Sequence, residues 1–261
     1  MDDRDGRVAA ALLAYRNHLV QAGDVFWPFL EPLNGRIADK ITANKFFLAC
    51  IIDYQQKADR AWGQARCFVE ETMGDPPDIW REIVKRHPTE ADWLKAKAMY
   101  ALHRWDRAHK RVYRIGQRII AQYDGDARRI WESATRDEVL HRLTDLQVGP
   151  QISQMVLGAL QDTGQIETAA DLKADVHVCR VLGRIMRGTP LSPDEAKRIA
   201  RTLKPDAPWL LDRPLFVLGS KSDFSTDGAA GACAAAAPNC RQCFAEIREI
   251  CCHFAASTPQ R

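Results

Sequence analysis

The chain has no long apolar run. Its longest, Phe46 to Ile52, has seven residues, against about 20 for a helix that crosses a bilayer. No membrane span is therefore predicted. Strict apolar–polar alternation is scarce, so strands are not expected, and no internal repeat is visible. The opening Met1-Asp2-Asp3-Arg4-Asp5 is acidic and lacks a signal-peptide pattern, which sets the expectation of a cytoplasmic protein, nucleoid-associated if bacterial.

Helical periodicity is abundant. Hydrophobic residues make up 46% of 261, enough for a real core in one or two domains. Residues 45–58 read as a helix apolar nearly all round. In 106–122, Ala108, Val112, Ile115 and Ile119 recur at helical spacing among five Lys and Arg. Ile152, Met155, Val156, Ala159 and Leu160 form another stripe behind Pro150, which suits a first helical turn. A further helix, 176–186, follows Asp175. The predicted class is all-α. Asp75-Pro76-Pro77-Asp78 and Lys204 to Gly231, with Pro205, Pro208 and Pro214, read as connections.

Charge and cysteine are unevenly placed. The net charge is only +3, yet Trp93 to Arg118 holds eight Lys or Arg against the single acid Asp106. Such a local excess is an electrostatic footprint for phosphates or a solvated helix face. Five of the eight cysteines (Cys233, Cys240, Cys243, Cys251, Cys252) fall in the last 29 residues. In a reducing compartment that clustering argues for metal over disulfides. Arg136 to Leu160 reads as helix, tight turn, helix, and a turn ending at a helix N-terminus presents backbone N–H groups to a phosphate.

Three segments occur in order: Val148-Gly149-Pro150-Gln151-Ile152-Ser153, then Ala174-Asp175-Val176-His177-Val178-Cys179-Arg180-Val181, then the cysteines. This order resembles the helix-hairpin-helix DNA glycosylases, whose iron–sulfur members include endonuclease III and the mismatch glycosylases. Gln55-Gln56 resembles the glutamine pair after that family's first long helix, so the likeness runs from about residue 37 to 252.

The resemblance implies two helical lobes: residues 37–163 as a helical barrel ending in the hairpin, and 1–36 with 164–261 as a cluster-bearing lobe. DNA would lie across the cleft, faced by Asp175. That carboxylate would stabilise an oxocarbenium-like sugar and help position or deprotonate water; it also suits the N-cap of the following helix. Gln151 stands where lyase members carry a Schiff-base lysine, which implies base release without strand scission. Gln151 would line the base pocket. Gln55 and Gln56, at the end of the first long helix, would fill the gap left by the flipped nucleotide. Gln147, Val148, Gly149 and Gln151 would meet DNA at the hairpin. Gln147 replaces the hairpin's usual first glycine, which should alter the turn.

The glutamate acid of adenine-removing members falls on Ile51, and Asp53 lies about 200° around a helix from it. A pyrimidine base that leaves as an anion is therefore the favoured target. The cysteine spacing, Cys233-x6-Cys240-x2-Cys243 then Cys251 or Cys252, approximates the family's [4Fe–4S] loop. Structural zinc usually draws on two paired knuckles, and only one Cys-x-x-Cys exists. Cys251, preceded by Ile250, is the preferred fourth ligand and Cys252 the alternative. The cluster would order a loop presenting Arg241 and Arg248 to phosphates. Cys50, Cys67 and Cys179 read as core packing. The aromatic run Phe26-Trp27-Pro28-Phe29 reads as pocket cover or core. The expected species is a monomer on double-stranded DNA, with no membrane partner. The competing readings are a bifunctional glycosylase/lyase and a non-catalytic iron–sulfur DNA-binding protein.

Overall fold

The computed structural model describes residues 3–24, 37, 39–167, 170–221, 225 and 227–257. Phe26 to Phe29 lie outside them. The described residues are helical with no strand, and no helix among them is long and apolar enough to cross a membrane. The chain divides into two compact units, Met1–Phe26 with Ala169–Arg261, and Trp27–Thr168. The sequence reading put these boundaries at 36/37 and 163/164.

The first helix, α1 (Asp3–Gln21), belongs to the discontinuous unit. The continuous unit holds α2 (Lys40–Ile52), α3 (Ala58–Cys67), α4 (Ile79–Arg86), α5 (Glu90–Lys95), α6 (Lys97–Tyr100), α7 (Asp106–Tyr123), α8 (Arg136–Asp145) and α9 (Pro150–Asp162). Helix α2 is its axis, packed against α3, α4, α7 and α9. It is buried on every side, as a helix apolar all round must be. Phe46 lies 6.0 Å from Trp62 and 6.2 Å from Trp131, and Phe47 lies 6.4 Å from Trp80.

The helix starts and stops earlier than 45–58. Asp39 caps it by accepting from the Thr42 N–H at 2.8 Å. Beyond Asp53 the chain turns, with Gln55 at φ 53°. Gln55 and Gln56 therefore occupy a turn after the helix, not its last residues.

One polar side chain organises this apolar axis. Asn44, 1% exposed, donates to the Gly125 carbonyl at 2.9 Å. Its oxygen accepts from the Trp80 indole N–H at 3.0 Å and the Ala127 N–H at 2.9 Å. All four of these groups are thus satisfied without water, which burial requires.

Helices α10 (Val176–Arg187), α11 (Pro193–Leu203), α12 (Asp212–Gly219), α13 (Ala245–Ile250) and α14 (Cys252–Ser257) complete the discontinuous unit. Helix α1 buries Val8, Leu12, Tyr15 and Leu19 along one stripe and meets α11, α12 and α13. The Tyr15 hydroxyl donates to Asp227 at 2.7 Å. Helix α12 corrects the reading of 204–231 as a plain connection. Pro214 sits in its first turn, where a missing N–H has no intrahelical partner to lose. Close backbone approach fixes α10: a Cβ on Gly183 would lie 2.2 Å from the Thr189 carbonyl oxygen. Cys179 is buried on α10, as expected, and Cys50 on α2. Cys67 is exposed and donates to Glu71 at 3.2 Å, so it is no core residue. Its position at the end of α3 turns it outward.

Asn44→Ala should leave the Trp80 indole, the Ala127 N–H and the Gly125 carbonyl unpaired. The expected loss is about 3–5 kcal/mol at 1–3 kcal/mol per stranded group, offset in part by water entry. Denaturant unfolding followed by tryptophan fluorescence measures it.

Candidate functional site

Asp175 is held at the start of α10 by local geometry. The approach segment is pinned where the Lys173 N–H donates to buried Asp212 at 2.9 Å. Asp175 Oδ1 then accepts from the N–H groups of His177 and Val178 at 2.8 and 2.9 Å, so it is the N-cap. Oδ2 has no hydrogen-bond partner among the described residues, and the side chain is half-buried. Beside it Val176 is 72% exposed. Capping and chemistry therefore use different oxygens: one orients the carboxylate, and the other can accept a proton or face a cation. His177 is held in place by one ring nitrogen. Its Nδ1 stands 2.8 Å from the Gly219 carbonyl oxygen, and its ring tilts against Phe216.

The same helix holds the cysteine loop. Arg180 Nε donates to the Cys233 carbonyl at 3.1 Å. One turn on, buried Arg184 donates to the carbonyls of Ala234 and Ala235 at 2.7 and 2.9 Å and approaches Cys233 Sγ at 3.4 Å. Backbone N–H groups of Gly231 and Cys233 donate to α12 at Val217 and Leu218, both at 2.8 Å. Cys233, Cys240, Cys243 and Cys251 line one small cavity of about 20 Å³, together with Arg184 and Arg248. Cys252 does not line it; Arg4 of α1 donates to its sulfur at 3.0 Å. Burial pushes the Cys243 thiol up to about 12, reinforced by Cys251, Cys233 and Cys240. As they stand, they surround the space: no group of three or more His, Cys, Asp or Glu arranged to hold a metal ion is found among the described residues. The donor set is all sulfur from one short loop, and it fits an iron–sulfur cluster better than a hard cation. Arg248 donates to the Arg241 carbonyl at 3.1 Å and borders the cavity, while Arg241 is exposed.

In the continuous unit, α8 and α9 form the helical hairpin. Thr135 and Glu138 make a capping box that starts α8. The turn closes through Gln147 N–H to Thr144 O at 2.8 Å and Val148 N–H to Leu143 O at 2.9 Å. Gln147 takes φ 62°, the left-handed region its predicted glycine equivalent would enter without strain. No side chain caps α9, whose N-cap is Gly149 and first residue Pro150. A Cβ on Gly149 would meet nothing within 4 Å, which leaves that backbone open to a ligand. Val148 is buried and Gln151 is exposed on the first turn of α9.

Gln55 and Gln56 are both engaged. Arg107 donates to the Gln55 side-chain oxygen, Arg104 donates to its carbonyl at 3.1 Å, and Gln56 donates to the Ile52 carbonyl at 3.1 Å. Ile51 is buried, and buried Asp53 accepts from the Trp62 indole at 3.3 Å. The sequence reading missed Arg4, Arg180 and Arg184. Arg180 and Arg184, four apart on the helix directly after Asp175, were the available signal.

No protein-family model matches the chain, and no curated protein matches it.

Arg184→Met should strand the Ala234 and Ala235 carbonyls and loosen the cysteine loop. Alkylation of Cys233 and Cys240 in metal-free protein, read by mass spectrometry, should then speed up about tenfold while buried Cys50 is unchanged. Ten-fold faster labelling corresponds to about 1.4 kcal/mol, within the range for one stranded polar group.

Proposed function

We propose that the chain is a monofunctional DNA glycosylase of the helix-hairpin-helix kind. It would remove a damaged, mismatched or modified base, pyrimidine favoured, from double-stranded DNA. The observation that carries this reading is the divided carboxylate of Asp175: Oδ1 caps α10, and Oδ2 has no partner among the described residues.

In the proposed reaction the N-glycosidic bond breaks and its electron pair leaves with the base. Asp175 stabilises the positive charge that develops on the sugar and accepts a proton from the attacking water, whose oxygen bonds to the anomeric carbon. A pyrimidine such as uracil can depart as an anion, to be protonated in solution. That choice is supported by what stands around α2, where Ile51 has no acid and Asp53 is occupied with Trp62. Gln151 has no amine able to form a Schiff base, so strand scission is not part of the reaction. The open backbone at Gly149 and the turn at Gln147 and Val148 supply phosphate contacts. Gln55 fills the vacated stack once it parts from Arg107, and Gln56 braces the turn.

The cysteine cavity would hold a [4Fe–4S] cluster on Cys233, Cys240, Cys243 and Cys251. Its contribution when bound is to keep the loop ordered. The chain's own Arg180 and Arg184 connect that loop to the helix carrying Asp175. Purified protein should be brown with visible absorption.

A second reading, a DNA-binding iron–sulfur protein without catalysis, has one specific support: capping α10 is by itself a sufficient use for Asp175. Asp175→Asn separates the two, because asparagine caps a helix as well as aspartate but cannot accept the proton. The thermal midpoint should stay within experimental scatter while base release from uracil and 5-substituted pyrimidine duplexes falls about 10²–10⁴-fold. No release from any lesion in a broad panel would favour the second reading, and undiminished release by the variant would overturn the role given to Asp175. Strand breaks appearing before alkali would exclude the monofunctional mechanism.

A further inference from the structure

Helix α7 carries Arg107, Lys110, Arg111 and Arg114 at i, i+3, i+4 and i+7, one stripe of its surface. With Ile115 of the same helix and Gln147 of the hairpin turn they line a concavity of about 280 Å³. The surrounding acids are already spoken for. Asp106 pairs with Lys97, and Glu90 takes Arg114 through two hydrogen bonds. Arg107, Lys110 and Arg111 make no contact-distance ion pair among the described residues, with Asp106 acting on Lys110 only at longer range. Arg107 turns to the Gln55 oxygen, and Arg111 lies 4.7 Å over the Tyr54 ring. Like charges three and four residues apart repel, and this stripe holds four such pairs. A bound anion reverses the sign of that contribution.

The number of charges selects the anion. Three cations without an ion-pair partner exceed what one phosphodiester, with a single negative charge, neutralises. A phosphomonoester carries about −1.5 to −2 at neutral pH. Shape points the same way. An internal diester has a sugar on both sides and must run along a surface, whereas a strand end can enter a concavity. We propose that this concavity is a subsite for the terminal phosphomonoester of a DNA strand, so that the protein prefers duplexes with a phosphorylated break. The inference rests on DNA being the ligand, as in the reading above, but not on base release.

The test compares fluorescence anisotropy of labelled nicked and gapped duplexes bearing 5′-phosphate, 3′-phosphate or hydroxyl ends, with the full-length protein. One phosphorylated end should bind about tenfold tighter than its hydroxyl counterpart, as expected for one additional charge-assisted contact. The Lys110→Gln/Arg111→Gln double variant weakens both complexes and brings their ratio to about one. Its thermal midpoint should stay close to the parent's, since relief of repulsion along α7 offsets loss of the Arg111 contact with Tyr54. Equal binding of phosphate and hydroxyl ends by the unaltered protein overturns the proposal. Pyrophosphate binding without any preference between duplexes also overturns it, in favour of a free polyphosphate ligand. End preference in a protein that releases no base would sink the glycosylase reading and leave the subsite standing.

Discussion

Buried Arg184 is the contact on which the discontinuous unit turns. Its guanidinium is inside the protein, so each N–H must find an acceptor or the burial is prohibitive. The acceptors are carbonyls of the loop that begins at Cys233. Because Arg184 lies on α10, the loop is tied to a rigid element whose first turn is set by Asp175. Gly183 adds to the constraint. With Thr189 backbone where a side chain would be, α10 can neither rotate nor slide without collision. The carboxylate and the cysteine loop thus share one helix, and displacement of either end is felt at the other.

The continuous unit solves a different problem. Its axis, α2, is apolar all round and has no polar face to set its rotation; Asn44 supplies that orientation by binding three groups from α4 and the loop after α7. Outside that core, α7 is amphipathic in an uneven way. One side buries Val112, Ile115 and Ile119, and the other gathers cations. Self-repulsion of that second side is tolerated because the first is well packed.

Much of this was legible in the residues. Helices with one clear stripe and a clear stop signal, such as α7, α9 and α10, lie within a residue or two of their expected spans, because Pro150 and Asp175 fix their starts. Periodicity failed where it carried no phase: α2 is apolar throughout, so only its caps, Asp39 and the turn at Gln55, could define its length. Proline-rich composition hid α12, since a proline in a first turn looks the same as one in a loop. At the candidate site, the cysteines stood out by their clustering, and Asp175 was named through the family resemblance. Which of two adjacent cysteines faces the cavity could not be told, because it depends on where Arg4, far away in the chain, places its guanidinium. The left-handed turn at Gln147 was expected only as an irregularity.

The discontinuous unit also has a history written into its chain order. Helix α1 packs on α13, yet Gln21 and Ala245 are separated by about 220 residues, roughly 10–45 s of translation at 5–20 residues per second. For most of that interval, until α11 and α12 are made, the stripe of Val8, Leu12, Tyr15 and Leu19 lacks a partner helix while the intervening unit emerges complete. A nascent chain of this design carries an uncovered apolar stripe at its start for most of its synthesis.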